Sequence, residues 1–255
     1  MAGSNEKAYE TNEVSWWSNW ADVKWLDRNA YLLLSDEFDE YFFNRGGFLE
    51  IAPGSGGLVE EMEREFEVRR RRPHILVQSN QLNSELLSTL ASRGYRIADQ
   101  MAVMVAGDAS RKVNPDLKID RVVKSRDWAR VYLESFYGES SQVNAVMAVV
   151  RRLAGLKEAD LLLGTLDGRP VGTAALFRTG KVCGVYCVGT LPDLRKRHIA
   201  STMLEFCHRT AVKEGRRLVL QTILSDSVER LYLKLGFKRA YLKDLFVKDE
   251  ESAPR

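Results

Sequence analysis

Between residues 117 and 247 the spacing of apolar residues switches repeatedly between a period of two and one near 3.6, and that alternation leaves few folds open. Residues 117–123 read as a strand, Ser125 is positioned to cap a helix running to Tyr137, and 142–153 supply a second helix. Strands at 161–163 and 171–177 flank Leu166-Asp167-Gly168-Arg169, where Asp-Gly suits the positive φ angles of a tight hairpin turn. A third strand covers 182–188. Ile199, Ala200, Met203, Leu204, Cys207 and Ala211 then recur at helical spacing until Gly215 stops them. A strand at 218–222, a helix at 226–235 and a strand at 237–247 complete the series. The order β-α-α-β-β-β-α-β-α-β predicts an α/β (α+β) fold with a mixed, mostly antiparallel sheet flanked by helices.

The preceding residues look like a shortened version of the same order. Short strands are expected at 31–34, 41–43 and 48–51, a helix with Leu58, Val59, Met62 and Phe66 on one face, and then β-α-β over 75–78, 83–92 and 95–105. Residues 82–105 and 224–247, aligned at Gly94 and Gly236, share a Gly-aromatic step, a leading Leu and a closing Val, which suggests an old internal duplication. Between the two parts lies a polar segment, 107–116, containing Gly and Pro. It predicts two domains, 1–110 and 111–255. The net charge of +3 divides sharply at that point: 11 Lys and Arg against 18 Asp and Glu before it, 27 against 17 after it. A basic second half calls for an anionic partner, whether nucleic acid, a membrane surface or a phosphorylated cofactor.

Several classes are disfavoured. A chain with 45% hydrophobic and 29% charged residues can build a core rather than remain disordered. The longest apolar run, 145–150, is far short of the ~20 residues of a membrane span, and 1–10 lack the apolar stretch of a secretion signal. No membrane partner and a cytoplasmic location are therefore expected. Three cysteines are too few for a disulfide framework. Together with His198 and His208 they lack recognised ligand spacing, so no metal is expected. The run Arg69 to Arg72 follows Glu60, Glu61, Glu63, Glu65 and Glu67, an acidic-to-basic order that the helix dipole and i,i+4 pairs explain, and no nucleic acid is expected there. Trp16, Trp17, Trp20 and Trp25 crowd into an acidic stretch and read as a packed lid or a subunit contact of a homodimer.

The segment Gly189-Thr190-Leu191-Pro192-Asp193-Leu194-Arg195-Lys196-Arg197-His198-Ile199-Ala200-Ser201 combines a strand end, a basic turn and a helix start. Main-chain N–H groups of a first helical turn have no partner inside the helix, and with the dipole behind them and three cations around them they suit a pyrophosphate. The bland alternative is a solvated basic loop. In the first half Ala52-Pro53-Gly54-Ser55-Gly56-Gly57 occupies the matching place, but no Lys or Arg is near and Glu60 and Glu61 follow, so a phosphate would meet like charge.

These residues resemble the GNAT superfamily of acyl-CoA-dependent N-acetyltransferases. Its pyrophosphate motif (Arg or Gln, two residues, Gly, one residue, Gly or Ala) falls on 195–200. Its later motif (Asn, two residues, Ala, two residues, Leu-Tyr, then Gly-Phe) falls on 225–237. His198 stands where Gly is usual, Ser225 for the Asn and Val228 for the Ala. The resemblance extends over about residues 117–247 and implies a GNAT-like domain, preceded by a smaller α/β domain that would be a degenerate GNAT-like repeat. It implies acetyl-CoA as cosubstrate, held by Val188, Gly189, Thr190, Arg195, Lys196, Arg197, His198, Ile199, Ala200, Ser201 and Ser225, with an amine acceptor as the other partner. The implied reaction is acetyl transfer to a primary amine by direct attack, with Tyr232 protonating the leaving thiolate and the main-chain N–H near Val188 stabilising the oxyanion. Packing beside Phe237 is the structural alternative for Tyr232, and Leu90 stands at its place in the first half. The strand 182–188 offers Cys183, Tyr186 and Cys187 but no carboxylate. Glu134 and Glu139, near the end of the helix that lines the acceptor site in this family, are the candidate bases. The alternative reading is a non-catalytic acyl-CoA-binding or regulatory protein.

Overall fold

The computed structural model describes residues 3–108, 112–139 and 141–248; the middle of the boundary segment, with Ser110, lies outside them. By packing the chain divides into two compact units. The first is Met1–Met104 with Gln221–Arg230 and Arg239–Arg255; the second is Val105–Leu220 with Leu231–Lys238. Sequence order and packing thus differ, because two segments from the far end of the chain belong to the first unit.

In the first unit the elements are α1 (Gly3–Trp17), β1 (Asp22–Trp25), β2 (Ala30–Leu34), β3 (Arg45–Phe48), α2 (Gly57–Val68), β4 (His74–Gln78), α3 (Ser84–Ser92) and most of β5 (Tyr95–Ala106). The chain's last strand, Phe237–Lys248, joins them antiparallel to β4, with Lys243 opposite Gln78 and Val247 opposite His74. β3 and β4 are parallel, as a strand–helix–strand crossover requires, while β1, β2 and β3 run antiparallel in turn. β2 is buried along its whole length, the pattern of a strand covered on both faces. On one face Val59, Met62 and Phe66 of α2 and Leu86 and Leu90 of α3 meet Ala30, Leu32 and Leu34.

Neither α1 nor β1 is anticipated by the periodicity. α1 lacks an apolar stripe because its hidden residues include Glu10, Asn12 and Glu13 beside Tyr9, Val14 and Trp16. Those carboxylates enter a closed network. Glu10 accepts from the Tyr241 hydroxyl at 2.7 Å and from Lys243 Nζ at 2.7 Å, and Glu13 accepts from Lys243 at 2.9 Å and Arg45 at 2.6 Å. Residues 41–43 form a turn rather than a strand, with Phe43 N–H donating to Glu40 O. Their aromatic rings pack with Trp17 and Trp20, ring centroids 5.4 Å apart for Trp17–Phe43 and 5.6 Å for Trp20–Phe43. Trp16 and Trp20 are likewise buried, so these tryptophans are spent inside the unit; Trp25, on β1, is exposed. The arginine run lies just beyond α2. Arg69 pairs with Asp36 and Asp22, Arg71 pairs with Asp39, and Arg72 donates to Lys248 O.

The second unit holds β6 (Lys118–Val122), α4 (Arg126–Tyr137), α5 (Val143–Leu153), β7 (Ala159–Leu166), β8 (Arg169–Thr179), β9 (Val182–Thr190), α6 (Ile199–Lys213), the start of β10 (Arg217–Ile223) and most of α7 (Glu229–Lys234); the final strand is then β11. Strands run in the order β10-β9-β8-β7-β6. All these pairs are antiparallel except β9 with β10, where α6 makes the crossover. Ser125 Oγ accepts from Trp128 N–H at 3.2 Å, and Gly138 ends α4 in the left-handed conformation at φ 74°. Asp167 and Gly168, at φ 50° and 77°, turn β7 into β8. The described residues therefore form the α/β (α+β) fold, mostly antiparallel with flanking helices, that the sequence predicts. α7 starts later than expected because Ser227, at φ 59°, keeps its predecessors in a turn. No helix among the described residues is long and apolar enough to cross a membrane.

Candidate functional site

The site of interest lies at the end of β9. Its ladder with β10 runs only from Val182–Arg217 to Gly184–Val219, so among the described residues the β10-facing edge of β9 has no partner strand from Val185 onward. On the β8 side the register passes from Thr173–Gly189 to Ala175–Tyr186, skipping Cys187 and Val188. Two residues face one, which is a β-bulge. Cys187 sits at φ 53°, and the Thr173 hydroxyl donates to its carbonyl at 2.9 Å, fixing the distortion. A strand that loses one neighbour and kinks against the other exposes main-chain donors and acceptors that an extended ligand can pair with.

Gly189 follows, where β9 meets α4. A Cβ there would stand 2.8 Å from Ser135 Cβ, 3.0 Å from Ser135 Oγ and 3.0 Å from Thr173 Oγ1. None of these is the yielding tip of a long side chain. Gly189→Ala is therefore expected to cost about 1–3 kcal/mol by overpacking, measured as a lowered midpoint in urea unfolding; an unchanged midpoint would mean that β9 and α4 part freely.

After Leu191 a single turn, Pro192–Leu194, leads into the loop. Lys196 and His198 both adopt left-handed backbone, φ 65° and 58°, and His198 is the N-cap of α6. A histidine thus takes the conformation for which glycine is the easier residue, at a strain of roughly 1–2 kcal/mol. The first main-chain bond of α6 is Thr202 N–H to His198 O at 3.0 Å, so the N–H groups at 199–201 precede it and lie at the positive end of the helix. The turn is braced from outside. Asn114 Nδ2 donates to Arg197 O at 3.0 Å, and Ser201 Oγ lies 2.7 Å from Lys112 O and 3.0 Å from His198 O. The hydroxyl proton of Ser201 is committed to these carbonyls, so what the residue offers an anion is its main-chain N–H at the helix start. Arg195, Lys196, Arg197 and His198 are exposed around the turn, and Ile199 is buried beneath it. The Arg195 guanidinium also donates to Ser135 O, at 3.1 Å.

The remaining candidates are distributed as follows. Tyr232 lies on α7 in the second unit, part-buried, its ring edge-on to Phe237 with centroids 5.9 Å apart. Glu134 is engaged with Arg130 at 3.1 Å, and Glu139 accepts from Ser141 Oγ at 2.6 Å. Ser225 belongs to the first unit, where its hydroxyl donates to Asp99. Burial, and then Asp99, raise the carboxyl pKa of neighbouring Asp226 above its ordinary value. Cys187 and Cys183 are poor nucleophiles: burial pushes both thiols up, Cys183 to about 12.

The glycine-rich loop of the first unit has a different economy of hydrogen bonds. Gly54 N–H donates to the Glu85 carboxylate at 3.1 and 3.3 Å, and the N–H groups of Ser55, Gly57, Leu58 and Val59 are all taken by carbonyls of residues 52–56. A carboxylate of the chain itself stands where an incoming anion would bind. Glu85 had no signal in the sequence, since it lies 31 positions from its partner. The bulge at Cys187, the open edge of β9 and the contacts of Ser135 were equally invisible there.

Residues 157–239 match the family described as an acetyltransferase (GNAT) domain. No curated protein matches the chain. Among solved structures it is similar to a GCN5-related N-acetyltransferase from Kribbella flavida, with 17% identity, 97% of this chain and 95% of that one covered, and a TM-score of 0.69. It is also similar to a GCN5-related N-acetyltransferase from Sphaerobacter thermophilus, with 17% identity, 91% and 83% covered, and a TM-score of 0.67. A tandem GNAT protein from the clavulanic acid biosynthesis pathway follows at 13% identity, 89% and 79% covered, and a TM-score of 0.59. At these identities the likeness is one of fold.

Proposed function

We propose, from the premise that this chain carries a GNAT acetyltransferase domain over residues 157–239, that it transfers an acetyl group from acetyl-CoA to a primary amine by direct attack. The observation that carries this reading is the meeting, within one unit, of an unpaired strand edge beyond Gly184 and a helix start ringed by Arg195, Lys196 and Arg197. The two features fit the two parts of the cosubstrate. Amides of an extended pantetheine arm need main-chain partners such as β9 offers from Val188 to Thr190, and a pyrophosphate needs the N–H groups and cations around 195–201.

Acetyl-CoA, when bound, supplies an activated thioester carbonyl. The main-chain N–H of Val188, in the bulge that the β8 ladder skips, suits a donor to the negative charge developing on the carbonyl oxygen. Tyr232 is the donor to the departing thiolate. The candidate bases are Glu134, which is paired with Arg130, and Glu139, which accepts from Ser141 Oγ. A thiol-release screen with acetyl-CoA against mixed primary amines tests the reading; no release with any amine would leave the second reading, a non-catalytic acyl-CoA-binding or regulatory protein. That second reading is favoured by the hydroxyls of Ser201 and Ser225 both being spent inside the chain. In our reading the protein acts in the cytoplasm without nucleic acid, and a salt-dependent shift of DNA or RNA would overturn that part.

One cosubstrate per chain is expected, because in the first unit's loop Glu85 holds the Gly54 N–H and main-chain carbonyls hold those of Ser55, Gly57, Leu58 and Val59. Calorimetric titration with CoA should give a stoichiometry of one. Two sites, or binding abolished by Gly56→Ala, would contradict it.

A further inference from the structure

Ser135 is the residue on which three parts of the second unit converge. Its carbonyl lies in the last turn of α4, among the helix-end acceptors that have no partner inside the helix, and Arg195 Nη2 supplies the missing donor at 3.1 Å. Its side chain closes on Gly189 at the end of β9, where no other residue fits without displacement. Its hydroxyl is buried and, among the described residues, has no hydrogen-bond partner. A helical serine can bond back to the carbonyl four residues earlier. This one does not, so the turn as it stands leaves a polar group unspent and a second arrangement available.

We infer that Arg195 couples cosubstrate binding to the last turn of α4: it caps that turn through Ser135 O and is drawn off it by the pyrophosphate. The inference rests on the reading of the loop as a CoA site. A guanidinium bonds an anionic phosphate oxygen more strongly than a neutral carbonyl, so in competition the phosphate takes the side chain and Ser135 O loses its donor. A ligand shifts an equilibrium only by its differential affinity for two states, and here the difference is the side chain's release. The turn so loosened carries Phe136 and Tyr137, 53% and 40% exposed, between Glu134 and Glu139 on the acceptor side of the proposed reaction. The amine would then meet the form of α4 that the cosubstrate has produced.

Amide hydrogen exchange on the full chain reads both ends of the coupling. Saturating CoA should protect 196–201 and accelerate exchange at 134–137, by roughly tenfold for a helix end that has lost its cap. Pantetheine, which lacks the pyrophosphate, should leave 134–137 unchanged. In Arg195→Ala, 134–137 should exchange in the free protein as fast as in the CoA-bound wild type and respond no further to CoA, while strand 31–34 keeps its protection. Protection of 196–201 with no acceleration at 134–137, or equal acceleration by pantetheine, overturns the coupling and leaves the CoA site standing. No protection of 196–201 at millimolar CoA overturns the site itself, and the coupling with it.

Discussion

Replacing Lys243 by methionine is expected to cost about 3–5 kcal/mol of folding stability, the scale on which removing one partner of a buried ion pair acts. Lys243 is fully buried and bonds two carboxylates, Glu10 and Glu13, both also buried. Arg45, equally buried, supplies the second cation at Glu13. The four charges cancel, so the network stands as long as all members are present. Removing the lysine leaves Glu10, among the described residues, with the Tyr241 hydroxyl alone, and a carboxylate without a cation in a dry interior either costs its desolvation or takes up a proton. Urea unfolding followed by circular dichroism should show a lowered midpoint with an unchanged slope. Lys24→Met, which breaks the exposed pair with Glu65, serves as the control and should change stability by less than about 1 kcal/mol. A Lys243→Met loss no larger than that of the control would mean that water reaches the network.

The same network has a pH signature. At Glu13 burial works to raise the carboxyl pKa, but Lys243 and Arg45 outweigh it and hold the group below its ordinary value of 4.5. At Glu10 burial wins over Lys243, and the group sits above that value. A depressed folded value gives stability that is complete above the unfolded value and lost as pH falls through the folded one. A raised value gives the reverse: stability complete below the unfolded value and lost as pH rises through the folded one. The two act in different windows: Glu10 makes wild-type stability rise as pH falls toward about 4.5, and Glu13 makes it fall below that. Glu10→Gln should therefore lose the rise on acidification toward about pH 4.5 and keep the loss below it, read from urea midpoints across that range.

Tyr232→Phe should lower kcat by roughly 10²-fold or more on an identified amine, the scale of general acid catalysis, with CoA affinity little changed. The variant keeps the ring that packs edge-on to Phe237 and removes only the hydroxyl. An ordinary tyrosine, with a pKa of about 10, is protonated at neutral pH, as a donor to a departing thiolate must be. Because packing is retained, a loss of kcat without loss of stability separates catalysis from structure. Wild-type kcat in the variant would remove the hydroxyl from the mechanism, and a joint fall in stability and CoA affinity would assign it a structural role instead.

Local features of this chain were legible because they depend on neighbours in sequence. Asp167-Gly168 turns β7 into β8, Ser125 and Gly138 bound α4, and the apolar spacing from Ile199 to Ala211 becomes the buried face of α6. The GNAT-like order and the basic turn before α6 were readable for the same reason: a strand end, positive-φ residues and a helix start are encoded within a dozen positions. Partners chosen over long separations were not readable. α1 escaped notice because its buried face carries Glu10 and Glu13, whose cation Lys243 lies more than 200 residues away. The open edge of β9 depends on where its ladder with β10 stops, and the loop at 52–57 is closed by a carboxylate from α3. Placing the last strand beside β4 likewise assigned the end of the chain to the first unit. Periodicity states which face of an element is apolar. What that face meets, and which charges are buried with it, is decided only when the pieces pack, since a buried charge is tolerable only beside its counter-charge and that pairing is made by the whole unit.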